Sequence, residues 1–150
     1  MYFHNMQIVL QEVPGHISIC FSISGCTMHC EGCHSPFLWK QKNGQKLTLD
    51  IFTSILNQYK GFSDCALFMG GEWHPEELIT YLKLAKKKGY KTCLYSGEDH
   101  IDPNILAQLD WVKTGKWIAK RGGLDALTTN QKFIEVKSNT ILNHLFIKNP

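Results

Sequence analysis

The sequence predicts an α/β chain built on an open, curved, mostly parallel sheet, a partial (βα) barrel. Three observations carry that expectation. Apolar runs of strand length alternate with helix-period segments, the pattern of βαβ units. The strongest runs each stop at glycine, in SISG-C, FMGG-E, LYSG-E and VKTG-K, so Gly25, Gly70 with Gly71, Gly97 and Gly115 mark the same end of successive strands. The chain has 150 residues, whereas a closed eight-fold barrel needs roughly 250.

The elements follow in order. MQIVLQEV (6–13) is a candidate strand at the sheet edge, and HISICFSI (16–23) is the first strong strand. CALFM (65–69), YKTCLY (90–95) and DWVK (110–113) are the next three, and KFIEV (132–136) alternates as a half-exposed strand does. Thr48 or Asp50 caps a helix with Phe52, Ile55, Leu56 and Tyr59 on its apolar face, stopped by Gly61. Pro75 opens the clearest helix, with Glu76 and Glu77 at the positive end of its dipole, Lys86–Lys88 at the negative end and Gly89 beyond. Its buried stripe is Leu78, Leu82 and Ala85, and its lysine run reads as a solvated helix end, not a phosphate site. Asp102-Pro103 starts a shorter helix that buries Ile105, Leu106 and Leu109. With no repeat, linker or low-complexity tract, one domain over 1–150 is expected.

Composition excludes several classes. A net charge of +3 is too small to argue for nucleic acid. No apolar run approaches a membrane span. MYFHNMQIVL lacks the basic region and long apolar core of a signal peptide, so a cytoplasmic location is expected, where disulfides are rare. Of the six cysteines, Cys20, Cys65 and Cys93 lie inside strands and read as core.

The other three lie in SGCTMHCEGCHSPFLW (24–39), as Cys26, Cys30 and Cys33, spaced C-x3-C-x2-C immediately after the first strong strand. In parallel α/β sheets, ligands gather at the carboxyl ends of the strands. Two metal chemistries fit. Structural zinc takes four protein ligands, and the fourth would come from His29 or His34, or from Cys65 or Cys93 brought near in space. A [4Fe–4S] cluster ordinarily takes four thiolates. With three, one iron keeps an open position, the logic that separates a catalytic metal site from a closed one.

C-x3-C-x2-C after the first strand of a parallel α/β sheet resembles the radical S-adenosylmethionine (SAM) superfamily. Gly70-Gly71-Glu72, after the next strong strand, is similar to that family's glycine-glycine-acid element. The resemblance runs from about Val13 to Val136. Within the superfamily, His34, Pro36 and Trp39 after the third cysteine, and Asn130-Gln131 near the end, resemble the activases of anaerobic ribonucleoside-triphosphate reductase, which are also short. Ser35 stands where that group more often has asparagine. Trp73 and His74 precede Pro75, where a proline often follows the acid directly.

The resemblance implies a [4Fe–4S] cluster on Cys26, Cys30 and Cys33, with SAM chelating the open iron through its amino and carboxylate groups. An electron from flavodoxin or ferredoxin would split SAM into methionine and a 5′-deoxyadenosyl radical. That radical would remove a hydrogen atom from one glycine Cα of the reductase. Gly70, Gly71 and Glu72 would contact the methionyl part. Ser96 would bond the ribose or carboxylate. Lys113 would pair with the carboxylate, or simply face solvent from its strand. Asn130 would lie near the adenosine or cap a turn. His34 would sit near the cluster, on the partner surface, or be an ordinary loop histidine. Trp39, Trp73, Trp111 and Trp117 divide between the core and surfaces facing the partner or the adenine. Other readings stay open: an activase of another glycyl-radical enzyme of the formate-lyase type, a small-molecule radical SAM enzyme, or a zinc-stabilised, non-catalytic binding module.

Overall fold

The computed structural model describes residues 1–148. In chain order the strands are β1 (Tyr2–Val9), β2 (Ser18–Ser24), β3 (Gln45–Lys46), β4 (Cys65–Met69), β5 (Lys91–Tyr95), β6 (Trp111–Thr114), β7 (Lys132–Glu135) and β8 (Thr140–Ile141). The helices are α1 (Leu49–Gln58), α2 (Pro75–Lys87) and α3 (Pro103–Leu106). All eight strands form one open sheet in the order β3-β1-β2-β4-β5-β6-β7-β8. The central four, β2, β4, β5 and β6, run parallel, and the flanks are antiparallel. The sheet is therefore mixed, with a parallel centre.

The helices start where their side chains dictate. Thr48 Oγ1 accepts a hydrogen bond from the Ile51 N–H at 3.2 Å, satisfying one orphan donor of α1. Asp102 does the same for α3, taking the Asn104 N–H at 2.8 Å. Pro75 fills the first turn of α2, where its missing N–H costs nothing.

The sheet carries a core on each face. On the helix-covered face, Phe21 stacks on Phe68 with centroids 5.3 Å apart, and Phe52 and Tyr81 close over them. The two tyrosines nearest that face spend their hydroxyls on backbone: Tyr81 donates to Leu47 O and Tyr90 to Leu56 O, both at 2.6 Å. The opposite face buries Val13, Cys20, Cys65, Leu67, Cys93 and Phe133. Cys20, Cys65 and Cys93 are thus core residues, as their place inside strands suggested. Burial pushes the thiols of Cys20 and Cys65 up to about 12.

Two expectations need correction. The strand expected over 6–13 runs from Tyr2 to Val9, and it is interior, paired with both β2 and β3. Val13-Pro14-Gly15 is a turn instead: the His16 N–H donates to Val13 O at 3.0 Å, and Gly15 holds φ +81°. The true edges, β3 and β8, are two residues long, too short to leave a periodic signal.

Phe68 is fully buried between Phe21 and Phe52. Phe68→Ala should cost about 3–5 kcal/mol, read as a lower denaturation midpoint of the cluster-free chain. A loss below about 1 kcal/mol would contradict this account of the core.

Candidate functional site

The parallel strands are in register near their carboxyl ends, where β4 and β5 stop and β2 and β6 run one or two residues further. Ser22, Met69, Tyr95 and Lys113 are successive partners across β2, β4, β5 and β6. Side chains alternate along a strand, so this row shares a face with Cys20, Leu67, Cys93 and Trp111, the face without helices. The chain then turns. The Gly70 N–H donates to Tyr95 O at 2.9 Å, and the Ser96 N–H to Lys113 O at 2.8 Å, so neighbouring turns brace one another.

Gly70 has no substitute here. It holds φ +86°, and a Cβ would lie 2.6 Å from Trp73 Cη2. The shared glycine endings do not have one cause, however. Gly97 is outside the left-handed region. What it provides is room, since a Cβ there would press on Met28 at 3.3 Å.

The cysteine loop springs from β2 and is drawn back on itself. The N–H groups of Gly25 and Cys26 both donate to Leu38 O, at 2.7 and 3.0 Å. Within it, the Cys33 N–H donates to Cys30 O at 3.1 Å, and the Ser35 N–H to Cys33 Sγ at 3.3 Å. All three thiols are free and half-buried. His29 sits at φ +46°, uncommon for a non-glycine residue, with its ring stacked on Trp39 at 4.5 Å.

Cys26, Gly70, Glu72, Trp73, Ser96 and Lys113 line one cavity of about 190 Å³. Ser96 Oγ donates to Glu72 Oε1 at 2.6 Å and accepts from the Glu98 N–H at 3.0 Å. Glu72 Oε2 is buried with no partner. Lys113 Nζ donates to Ser96 O at 3.2 Å and Gly115 O at 2.9 Å, two of an ammonium's three N–H groups. Lys113 is therefore half-buried in the site, not a solvent-facing strand residue. Burial pushes the Glu72 carboxyl above its ordinary value, against the opposing pull of Ser96. Burial also brings Lys113 down to about 8, with Cys30 and Glu72 pulling the other way. Burial raises the Cys26 thiol.

The remaining candidates are spread around this centre. Cys30 opens on a cavity of about 580 Å³, shared with Trp117. His34 is exposed, with its ring 4.5 Å from that of Trp117, and borders a space of about 430 Å³ that Lys113 also reaches. Asn130 lines none of these cavities. Its Nδ2 donates to Lys116 O at 3.0 Å, while its Oδ1 is buried without a partner. Sequence reasoning missed Tyr95 and Met28. Tyr95 could have been found from the register of β4 and β5, since it is the last residue of a strand ending beside Gly70. Met28 left no signal.

Among the described residues, no three histidine, cysteine or acidic side chains converge as ligands of a single metal ion. A cluster asks for something else, one thiolate for each of several irons, and three half-buried thiols on one loop suit that. A family described as a 4Fe-4S single cluster domain matches residues 14–121. This chain belongs to that family. It is also 32% identical over 106 residues to the pyruvate formate-lyase-activating enzymes of Listeria monocytogenes and Listeria innocua, covering 65% of this chain and 42% of each relative. The corresponding enzyme of Streptococcus mutans is 33% identical over 88 residues, 54% of this chain and 33% of its own length. The chain thus spans less than half the length of these relatives. The cofactor that the family's description names is a [4Fe–4S] cluster. The site fits it: three thiols for irons, and beside them a cavity with an unpaired buried carboxylate oxygen and an ammonium with one N–H to spare.

The lowered Lys113 makes a pH prediction. Between about 8 and 10.5 the unfolded chain holds a proton on this lysine that the folded chain has lost. Stability of the cluster-free chain should therefore rise with pH across that window. Lys113→Met should abolish the rise and stabilise the chain at pH 7 by at most about 3 kcal/mol. Denaturant titrations at pH 7, 8, 9 and 10 check this, and an unchanged slope in the variant would contradict it.

Proposed function

We propose that the chain is a radical SAM activase of a glycyl-radical enzyme, its open sheet being the partial barrel of that superfamily. When bound, the reduced cluster and SAM supply a carbon radical that takes a hydrogen atom from a glycine Cα of the partner enzyme. Cys26, Cys30 and Cys33 are the cluster ligands. The observation that carries the reading is the cavity that Cys26 shares with Gly70, Glu72, Ser96 and Lys113. Its polar groups suit an amino acid: Glu72 Oε2 accepts from an ammonium, and the spare N–H of Lys113 meets a carboxylate. Gly70 lines the cavity and lets the methionyl part approach the backbone, whereas Gly71, whose Cβ position is filled by Met1, Ile23 and Leu78, has only backbone groups to offer it. Ser96 holds Glu72 in place and is within reach of the same ligand. Asn130 lies outside the cavity and braces the chain at Lys116 O, and the resemblance assigns it to the adenosine end of the ligand. His34, exposed beside Trp117, belongs to the surface that meets the partner.

Two partners are carried. Anaerobic ribonucleoside-triphosphate reductase is favoured by His34, Pro36, Trp39 and the Asn130-Gln131 pair. A formate-lyase-type enzyme is favoured by the activating enzymes to which the chain is similar. Flavodoxin or ferredoxin, in the cytoplasm, supplies the electron. A zinc-stabilised, non-catalytic module is the reading from another class.

Anaerobic reconstitution with iron and sulfide should give a cluster that reductively cleaves SAM. Cys26→Ala, Cys30→Ala and Cys33→Ala should each lose the intact cluster, while Cys93→Ala keeps it. A full cluster in any of the first three overturns the ligand assignment. A zinc-only protein that never cleaves SAM returns the reading to the binding module. Incubation with each candidate enzyme should then give a glycine-centred paramagnetic doublet on one of them, and that enzyme is the partner.

A further inference from the structure

Three of the four tryptophans gather around the cysteine loop, and each has a buried indole N–H with no acceptor: Trp39, Trp73 and Trp117. The fourth, Trp111, lies at the other end of the sheet against His16, with ring centroids 4.6 Å apart, and is not among the unpartnered groups. A protein interior rarely leaves such donors unpaired, and each exception asks for an explanation. Two of the three come close to the residues that precede cysteines. Trp73 Nε1 lies 3.5 Å from where a Cβ on Gly25 would sit, and Trp117 Nε1 lies 3.6 Å from the corresponding point on Gly32. Gly25 directly precedes Cys26, and Gly32 directly precedes Cys33. A Cβ at either glycine would come into ordinary contact with the indole nitrogen, which places each N–H beside the backbone that leads into a cysteine.

We infer that Trp73 and Trp117 are positioning residues that donate indole N–H hydrogen bonds to the sulfur shell of the cluster, Trp73 at Cys26 and Trp117 at Cys33. The inference rests on the ligand reading of those cysteines. Both rings are held in place. Trp73 is wedged against Gly70, and Trp117 packs on the His34 ring. Both enter from outside the cysteine loop, Trp73 from the β4–α2 connection and Trp117 from beyond β6. Thiolates and sulfides are acceptors without donors of their own, and they carry more negative charge in the reduced cluster. A fixed N–H therefore stabilises the reduced form and raises the reduction potential. Outer-shell donors of this kind also orient the ligands.

The test uses the reconstituted chain. Trp73→Phe and Trp117→Phe should each bind iron and sulfide at the wild-type ratio and lower the cluster midpoint, with a larger fall in the double variant. Trp111→Phe should leave the midpoint in place. Replacing each indole by its benzothiophene analogue, which keeps the shape and removes the N–H, should lower the midpoint in the same way. That control separates the lost donor from the lost volume. Should the phenylalanine variants fail to hold a cluster, wild-type chain labelled with ¹⁵N in its indoles is reduced and examined by electron–nuclear double resonance. A nitrogen coupling to the cluster is expected. Unmoved midpoints in both single variants, or no ¹⁵N coupling, overturns the inference. If the wild-type chain assembles no cluster at all, the ligand reading fails first, and the two failures are thereby distinguished.

Discussion

The rest of the structure depends on four parallel strands being paired in register up to their carboxyl ends. Each bond between neighbouring turns, Gly70 N–H to Tyr95 O and Ser96 N–H to Lys113 O, can form only if that pairing holds. That register brings Glu72, Ser96 and Lys113 into one small space, although they lie far apart in the chain. It also gives the cysteine loop a fixed floor. Residues in a loop alone could not hold Cys26 at the cavity that Gly70 also lines. The sheet does so because β2 and β4 are hydrogen-bonded neighbours, and the loops that leave them have nowhere else to go.

Charge in this space is held under tension. Burial disfavours the ionised form of both Glu72 and Lys113, raising the one and lowering the other. Neither group is neutralised by a close partner of opposite sign. Glu72 is bonded to a serine hydroxyl, and Lys113 to two backbone carbonyls. A zwitterionic amino-acid group entering the cavity would meet each charge with its complement and relieve both penalties together. The pair is poor as a stabilising device, because a buried charge without a counter-ion costs more than it returns. It makes sense as half of a recognition pair.

Much of this was legible in the residues. β4 and β5 were marked by apolar runs of the right length, and α2 by its proline, its paired charges and its closing glycine. The three clustered cysteines announced a metal site because cysteines inside strands and cysteines in a loop differ so plainly in surroundings. What escaped was set by pairing across distance. β3 and β8 exist only because a longer strand lies beside them. Gly97 looked like the other strand-end glycines, yet its reason is the side chain of Met28, which no local pattern foretells. Lys113 on a short strand read equally well as solvent-facing. Only the register with Tyr95 and the carbonyls of Ser96 and Gly115 decides that it points inward. The tryptophans were visible as an excess but not as an arrangement.

The unsatisfied polar atoms give the last step. Among the described residues, six buried side-chain atoms lack a partner: Ser18 Oγ, Glu72 Oε2, Asn130 Oδ1 and the indole nitrogens of Trp39, Trp73 and Trp117. Ser18 starts β2, at the far end of the sheet, and its hydroxyl lies beside the Cys65 thiol. The other five surround the carboxyl ends of the parallel strands or the cysteine loop. Random packing faults would scatter, whereas these are concentrated where the fold has put its free thiols. They are also chemically mixed, three donors and two acceptors, so no single ion could satisfy them. The sulfurs of an iron–sulfur cluster would accept from the donors and a cationic amine would give to the acceptors, so the proposed pair of ligands matches both kinds. Because binding to the folded chain alone adds directly to its stability, the orphan atoms that weaken the empty fold would, on the proposed reading, become contacts that hold the filled one together.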